Sequence, residues 1–241
     1  MASPYKRVVL KVSGESFAQE GQLGISPDEL TVIAGEIAQA RRASPDTQIA
    51  VVVGGGNIVR GARLAEKGRI AQSTADYMGM LGTVINGLAL REALEGQGIP
   101  SRLLTALQIT AVAEPFIRGR AMRHMEKGRV IVLAAGTGNP FFTTDTCASL
   151  RAVELQAQVL LKATKVDGIY TADPKKDPTA TRYERLTFAQ AIEKQRGVMD
   201  LTALTMCMEH ELPVVVFDFR KKGNIQRVLE GDSSVGTVVT N

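Results

Sequence analysis

The sequence predicts an α/β fold in which helices cover both faces of a mainly parallel sheet, a three-layer αβα sandwich. Two observations support this prediction. Short apolar runs alternate along the chain with segments of helical periodicity. The central apolar runs are continuous, which is typical of parallel strands that are buried on both faces. Because the 241 residues contain no linker and no repeat, we expect a single domain over residues 1–241.

The first half of the chain begins with a strand at residues 5–12 and continues into a glycine-punctuated loop at 19–24. Ser26-Pro27-Asp28-Glu29 is a capping box with proline at the first helical position, so we expect a helix from there to about Arg42. The elements expected next are a buried strand at 48–53, a long helix at about 75–95, a short strand at 101–104 and a helix at 114–127.

The second half begins with an apolar strand at 130–133, followed by a stretch of glycines and hydroxyl side chains at 134–146 and a helix at 148–155. A strand at 159–164 leads into a turn-rich segment at 165–174. The remaining expected elements are helices at 188–195 and 203–210, a strand at 213–217, a short helix at 224–230 and a final edge strand at 235–240.

Composition excludes several classes of function. The net charge is +4, and the basic residues are scattered, which indicates a solvated surface that suits polyanionic small molecules better than nucleic acid. No apolar run approaches the roughly 20 residues of a membrane span, and the N-terminus does not resemble a signal peptide. The two cysteines, Cys147 and Cys207, form no metal or disulfide motif. We therefore expect a cytoplasmic protein with reduced thiols and no membrane contact.

Four glycine-rich or polar turns follow predicted strands, at residues 13–14, 54–57, 136–144 and 164–173. The carboxyl ends of parallel strands meet at one edge of a sheet, where ligands of open α/β folds bind. These turns would together line one crevice that is long enough for two phosphorylated ligands placed end to end.

Asp145 stands at the end of one such turn, where a helix begins. Backbone N–H groups at a helix start favour an anion, whereas a carboxylate repels phosphate unless a metal ion or another cation lies between them. This combination suggests metal-assisted phosphate chemistry. The alternative is a plain helix-start carboxylate stabilised by the helix dipole, and the same alternative applies to Asp200.

Lys11 ends the first strand, and its ammonium group is either an ordinary surface charge or a point charge on a transferring phosphoryl group. Gly54-Gly55-Gly56 allows the backbone to approach a ligand without a Cβ in between. Arg60 is placed to reach a phosphate. Asp76 is either a helix-surface carboxylate or a hydrogen-bond acceptor for a ribose hydroxyl, and spacing leaves both open.

Motifs of other phosphate-handling families are absent from the sequence, among them the P-loop and the protein-kinase H-R-D and D-F-G signatures. Five pieces resemble the bacterial uridylate (UMP) kinase family of the amino acid kinase superfamily, and the resemblance covers essentially the whole chain. These pieces are Lys11-Val12-Ser13-Gly14-Glu15, Gly54-Gly55-Gly56-Asn57 with Arg60, residues 75–80, residues 136–145 and residues 162–174.

The resemblance implies transfer of the γ-phosphoryl group of MgATP to UMP in pyrimidine nucleotide biosynthesis, giving UDP and ADP. It implies a homohexamer, with Mg²⁺ held mainly by the ATP phosphates. The acceptor would bind within about residues 1–150, and ATP within about 151–241 together with the first turns. The chemistry of this transfer is consistent with the motifs. The acceptor phosphate is already ionised near neutral pH, so it needs positioning and charge neutralisation rather than a general base.

The resemblance also implies roles for individual residues. ATP would contact Lys11, Val12, Ser13, Gly14, Gly56, Arg60, Thr164, Tyr170 and Asp173. UMP would contact Gly55, Asp76, Thr137, Gly138, Asn139, Pro140, Phe141, Phe142, Thr143 and Thr144. Lys11 and Arg60 would neutralise the phosphoryl group in flight, while Asp145 and Asp200 would orient the lysine and the metal-bound phosphates. Activation by GTP would involve the loop Gln19, Glu20, Gly21, Gln22, Leu23 and Gly24, and UTP would inhibit.

Two alternatives remain at this point. One is a sibling kinase that phosphorylates carbamate or an amino-acid carboxylate, against which the Phe141-Phe142 pair argues, since a small acceptor does not need a long, partly aromatic pocket. The other is a non-catalytic nucleotide sensor that contacts DNA or a regulator. The scattered positive charge argues against DNA as its primary partner.

Overall fold

The computed structural model describes residues 3–60, 70–174, 176–193 and 199–241. Within these ranges nine strands form one sheet: β1 (Arg7–Val12), β2 (Gln48–Val53), β3 (Ser101–Thr105), β4 (Glu114–Pro115), β5 (Val130–Ala134), β6 (Val159–Thr164), β7 (Arg185–Thr187), β8 (Val214–Asp218) and β9 (Gly236–Thr240). The α-helices are α1 (Pro27–Ala43), α2 (Gln72–Gly96), α3 (Arg118–Glu126), α4 (Thr144–Glu154), α5 (Phe188–Glu193), α6 (Leu201–Glu209) and α7 (Asn224–Leu229). None of these described helices combines the length and apolar character of a membrane-spanning segment.

The strands lie side by side in the order β4-β3-β5-β2-β1-β6-β8-β9-β7. Neighbouring strands are parallel except for β8 and β9, which run antiparallel. The mainly parallel sheet predicted from the sequence is thereby confirmed. Because β1 lies at the centre with β2 and β6 on either side, the turns that follow these three strands emerge together at one edge.

Helices cover both faces of the sheet, which confirms the three-layer architecture. In β1, Val8 and Leu10 belong to one apolar core, and Val9 belongs to the other. Helices α1, α2 and α7 complete the first core, and α3 to α6 complete the second. Successive side chains of a strand point to opposite faces, so a strand buried on both sides needs a continuous apolar run. Each fully buried valine or leucine contributes about 1.5–3 kcal/mol.

Two predicted elements differ from those observed. The helix expected at 114–127 begins only at Arg118, because Glu114–Pro115 pairs with the end of β3 as a short edge strand, where proline is tolerated. The strand expected at the sheet edge near 235–240 is flanked on both sides, since β7, which has no apolar pattern of its own, pairs with β9. The last two residues of the helix predicted at 188–195 lie outside the described residues.

Candidate active site

Two adjoining clefts lie at the carboxyl ends of the central strands. The larger has a volume of about 690 Å³ and is lined by the turns after β1 and β2, by α2 and by the segment 136–144. The smaller, of about 280 Å³, lies between the ends of β1 and β6. Lys11, Ser13 and Glu15 line both clefts. Ligands bound in the two clefts would therefore meet beside these residues.

A charged cluster of Lys11, Lys162 and Asp145 stands at this junction, and we call it the lysine–aspartate cluster. Lys11 and Lys162 occupy paired positions on the neighbouring strands β1 and β6, so the register places two ammonium groups side by side. Asp145 bridges them: its Oδ1 lies 2.9 Å from Lys11 Nζ, and its Oδ2 accepts a hydrogen bond from Lys162 Nζ at 2.7 Å. All three side chains are largely buried, with 12–16% of their surface exposed.

Burial and neighbouring charges shift the ionisation of the lysine–aspartate cluster in opposite directions. Burial alone would raise the pKa of Asp145, but Lys11 and Lys162 together lower it below its ordinary value. Burial lowers the pKa of Lys162, and Asp145 opposes this while Lys11 adds to it. Within the cluster two ammonium groups face one carboxylate, and the Asp200 carboxylate also acts on Lys162 from nearby. Lys11 and Lys162 are therefore the positive groups that can attract a polyanion to the junction.

The starts of two helices hold Asp145 in place. Asp145 lies in the first turn of α4, which the Thr143 hydroxyl caps by accepting hydrogen bonds from the backbone N–H groups of Asp145 and Thr146, each at 3.1 Å. Asp200 caps α6 by accepting from the Ala203 N–H at 3.0 Å. It also accepts hydrogen bonds from the hydroxyls of Thr143 and Thr146, which ties α6 to α4. Both carboxylates are thus at helix starts, and Asp145 contacts the lysines in addition.

The turns after β1 and β2 approach each other too closely for side chains. A Cβ on Gly14 would lie 2.5 Å from the backbone nitrogen of Gly56, and one on Gly54 would lie 2.6 Å from that of Gly14. A Cβ on Gly55 would lie 2.5 Å from the carbonyl oxygen of Gly79 in α2. Glycine is therefore required where these three backbone segments meet, and the turns can present bare backbone to the larger cleft.

The segment 136–144 forms another wall of the larger cleft. The backbone turns sharply just before this segment and within it, with φ values in the left-handed region at Ala135 (+62°) and at Phe141 (+70°). Asp76 in α2 holds the segment by accepting a hydrogen bond from the Phe141 N–H at 2.8 Å. The side chains of Phe141 and Phe142 are 73% and 51% exposed, a large apolar surface for a segment next to a cleft. Asp76 thus positions this wall, and its contact with a ribose stays a prediction.

Arg60 lines the larger cleft and pairs with Glu15 at a distance of 2.5 Å. The two side chains are 37% and 54% exposed. An exposed pair of this kind contributes little to stability, roughly 0–1 kcal/mol. The guanidinium group can therefore exchange Glu15 for a phosphate at small cost.

The ATP-binding residues predicted in the second half of the chain separate into two groups. Thr164 lines the smaller cleft, whereas Tyr170 and Asp173 lie outside its lining. The Tyr170 hydroxyl donates to Asp167 at 2.7 Å, and Lys221 pairs with the same carboxylate at 3.1 Å. Burial alone would raise the pKa of Asp167, but these two partners lower it. The assignment of Tyr170 and Asp173 to ATP stays a prediction.

Most of the other predicted residues meet at the larger cleft. Those that line it are Lys11, Ser13, Gly14, Gly55, Gly56, Arg60, Asp76, Thr137, Asn139, Phe141, Phe142, Thr143 and Thr144. Val12, Gly138 and Pro140 are their sequence neighbours but do not line it. The loop 19–24 is mostly exposed and stands apart from both clefts, so its regulatory role stays a prediction.

Lys162 is the site residue that the residue-by-residue assignment missed. The signal was present in the sequence, since a lysine interrupts the apolar run of β6 close to its carboxyl end. A charged side chain in a strand that is buried on both faces needs a partner, and here the partner is Asp145. Only the register of β6 against β1, which local sequence does not reveal, places Lys162 beside Lys11.

Comparison with known proteins finds a matching family model and similar solved structures. Residues 6–218 match the model of the amino acid kinase family. The chain is similar to a UMP kinase structure from Bacillus anthracis, with 37% identity, a TM-score of 0.93 and coverage of 98% of this chain and 96% of that one. It is also similar to a UMP kinase structure from Ureaplasma parvum, with 35% identity, a TM-score of 0.90 and coverage of 98% of this chain and 99% of that one. A uridylate kinase structure from Archaeoglobus fulgidus is similar with 30% identity, a TM-score of 0.73 and coverage of 97% of this chain and 99% of that one.

Proposed function

Because the chain belongs to the amino acid kinase family, and because UMP kinases match it over nearly its whole length, we propose that it transfers the γ-phosphoryl group of ATP to UMP. The products are UDP and ADP, which places the enzyme in pyrimidine nucleotide synthesis. The observation that carries this proposal is the lysine–aspartate cluster at the junction of two clefts. Phosphoryl transfer between two nucleotides needs positive charge where their phosphates meet.

We assign the larger cleft to UMP and the smaller to the ATP phosphates. The larger cleft offers the backbone of Gly55, the carboxylate of Asp76 and the hydroxyl-rich segment 136–144, which belong to the first 150 residues. The smaller adds Thr164, from the part of the chain after residue 150, where Tyr170 and Asp173 also lie. The nucleotides then share one junction, and their bases lie in opposite directions.

In the reaction an oxygen of the UMP phosphate attacks the γ-phosphorus of ATP, and the bond from that phosphorus to the β,γ-bridging oxygen breaks. ADP leaves with the electron pair of that bond. Lys11 and Arg60 neutralise the oxygens of the phosphoryl group in flight, and Lys162 neutralises charge on the donor side. Asp145 holds both lysines, and Asp200 holds the helix start that carries Asp145. No proton has to be removed from the acceptor.

Mg²⁺ enters this mechanism as part of the substrate MgATP. Asp145 Oδ2 accepts a hydrogen bond from Lys162 at 2.7 Å, and Oδ1 lies 2.9 Å from Lys11 Nζ but accepts no hydrogen bond of regular geometry from the part of the chain that the structure describes. Because this carboxylate already pairs with two lysines, the ATP phosphates would hold the ion, as they commonly do in kinases. It supplies additional neutralisation of the phosphate charge.

The acceptor is tested by measuring ADP release with UMP, CMP, carbamate, aspartate and acetylglutamate, each with MgATP. We expect turnover with UMP to exceed that with the others. Turnover with carbamate or a carboxylate alone would establish a sibling kinase. Nucleotide binding without any ADP release would establish a sensor. The exposed Phe141 and Phe142 favour UMP, because an aromatic surface suits a base and not a small acyl acceptor.

We further propose a homohexamer that GTP activates and UTP inhibits. The loop 19–24 is exposed and ends at Gly24, whose N–H and carbonyl oxygen are both bonded to Asn57 beside the glycine turn, so a ligand on the loop has a route to the site. Tyr77, Leu81 and Ile85 are 42–47% exposed and spaced four residues apart on α2, an apolar stripe that suits self-association.

Light scattering during gel filtration measures the assembly, and ADP release with added GTP or UTP measures the response. A monomer, or rates that neither nucleotide changes, would refute these two parts separately. A cytoplasmic location is consistent with the two free, buried thiols and with the nucleotides used.

A further inference from the structure

Two buried asparagines lie behind the glycine turns and outside the lining of both clefts. Asn57 follows Gly54-Gly55-Gly56, and Asn86 lies in α2; their exposed fractions are 1% and 0%. Primary amides are costly to bury unless their hydrogen bonds are satisfied. Their partners therefore show what the pair holds together.

The two amides pair with each other. Asn57 Nδ2 donates to Asn86 Oδ1 at 3.1 Å, and Asn86 Nδ2 donates to Asn57 Oδ1 at 2.6 Å. Each then uses its second N–H group on a backbone carbonyl: Asn86 donates to Gly54 at 2.7 Å and Asn57 donates to Gly24 at 2.7 Å. All four amide protons are used, so the pair joins α2, the end of the 19–24 loop and the turn after β2.

The pair also contacts the turn after β1. A Cβ on Gly14 would lie 2.8 Å from Asn57 Oδ1, so the side-chain oxygen of Asn57 fills the space beside the Cα of Gly14. The paired amides thus reach both turns, Asn86 through its hydrogen bond to Gly54 and Asn57 through its contact beside Gly14. An aspartate at either position would lose the donors, and a leucine would leave buried carbonyl oxygens unpaired.

We propose that Asn57 and Asn86 are positioning residues that fix the two glycine turns relative to each other. This inference rests on the proposed phosphoryl transfer. The turn after β1 carries proposed ATP contacts only, whereas the turn after β2 carries the proposed UMP contact of Gly55 beside the ATP contacts of Gly56 and Arg60. A small shift between the turns leaves most of these contacts in place while it misaligns the acceptor oxygen and the γ-phosphorus. A misplacement of about 1 Å costs on the order of a hundredfold in rate. The pair therefore acts on kcat and much less on KM.

The test compares Asn86→Leu with Thr47→Val by steady-state kinetics with UMP and MgATP and by thermal unfolding. Thr47 is a matched control, because it is 2% exposed, donates to the Tyr5 carbonyl oxygen at 2.9 Å and precedes β2 at the end opposite the turn. We expect Asn86→Leu to lower kcat roughly ten- to a hundredfold, with KM for each substrate changed less than about threefold. Thr47→Val removes one buried hydrogen bond against three for Asn86→Leu, so it should leave kcat within about twofold and lower Tm by less.

Asn57→Ser is the second variant, used because Asn86→Leu can fail to fold. It removes the amide donors to Gly24 and Asn86 without burying a charge, so the same fall in kcat is expected. A folded variant of either kind with kcat within twofold of the parent protein overturns the inference, as does an equal loss of kcat in Thr47→Val. Absence of UMP turnover in the parent protein would instead overturn the proposed function, so the two failures are distinguishable.

Discussion

Replacing Asp145 by asparagine distinguishes a residue that organises the site from a plain helix-start carboxylate. The substitution preserves shape and removes the charge that lies between Lys11 and Lys162 at 2.9 Å and 2.7 Å. If only the helix dipole matters, the loss is about 0.3–1 kcal/mol. If the ion pairs matter, two largely buried ammonium groups are left facing each other, and breaking a buried pair costs about 3–5 kcal/mol.

These magnitudes give separable outcomes in thermal unfolding. For a chain of this size 1 kcal/mol corresponds to roughly 2–4 °C, so the ion-pair account predicts a fall in Tm of about 6–20 °C and the dipole account at most about 4 °C. Asp28→Asn is the matched control, since Asp28 is an exposed carboxylate in the first turn of α1. Turnover should fall by about 10²–10³, as for loss of one preorganised charge-stabilising group. Near-normal turnover and a Tm loss equal to that of Asp28→Asn would refute the reasoning.

The same variant predicts a change in acid stability. The pKa of Asp145 in the folded protein is held below its ordinary value of 3.8, so the folded state binds this proton more weakly than the unfolded chain. The stabilisation is therefore complete above the ordinary value and is lost as the pH falls through the folded-state pKa. Urea unfolding between pH 3 and 6 should show a shallower acid loss in Asp145→Asn than in the parent protein. Equal slopes would contradict the pairing.

Lys162→Met should lower kcat by at least about tenfold in the ADP-release assay and leave UMP affinity near that of the parent protein, because Lys162 lines the smaller cleft. An unchanged kcat would show that Lys162 has no role in the mechanism. Gly55→Ala should weaken UMP binding and lower Tm, since its Cβ would lie 2.5 Å from a carbonyl oxygen of α2, whereas Gly35→Ala, with open space around it, should do neither. Burial raises the pKa of Cys147 and of Cys207 to about 11, so a thiol reagent at pH 8 should label both only after unfolding; rapid labelling of the folded protein would refute their burial.

Much of the fold is predictable because its signals are local. The apolar runs at β2 and β5 are continuous, and the capping box at Ser26 begins α1 at the expected place, with the Ser26 hydroxyl accepting from the Glu29 N–H. The short strands β4 and β7 have no such local sequence signal. They contain two and three residues and exist because β3 and β9 supply hydrogen-bonding partners from distant parts of the chain.

The site likewise contains features with local sequence signals and features that depend on contacts between distant residues. Glycine-rich and hydroxyl-rich turns that follow parallel strands indicate a ligand-binding edge of the sheet, so the position of the clefts could be predicted. The pairing of Lys162 with Asp145 depends on strand register and on how α4 packs, and the pairing of Asn57 with Asn86 depends on where α2 crosses the turns. Such contacts join residues far apart in the chain, and a single sequence carries no direct record of them.

The sharing of Lys11, Ser13 and Glu15 by both clefts has a consequence for inhibitor chemistry. Two nucleosides joined through one polyphosphate chain would occupy both clefts with the chain lying over Lys11. The second nucleoside would then bind at the high effective concentration that a short tether imposes. The affinity of the joined compound would exceed that of either half by about 10²–10⁴ without a new contact, provided that the chain length matches the distance between the two base sites.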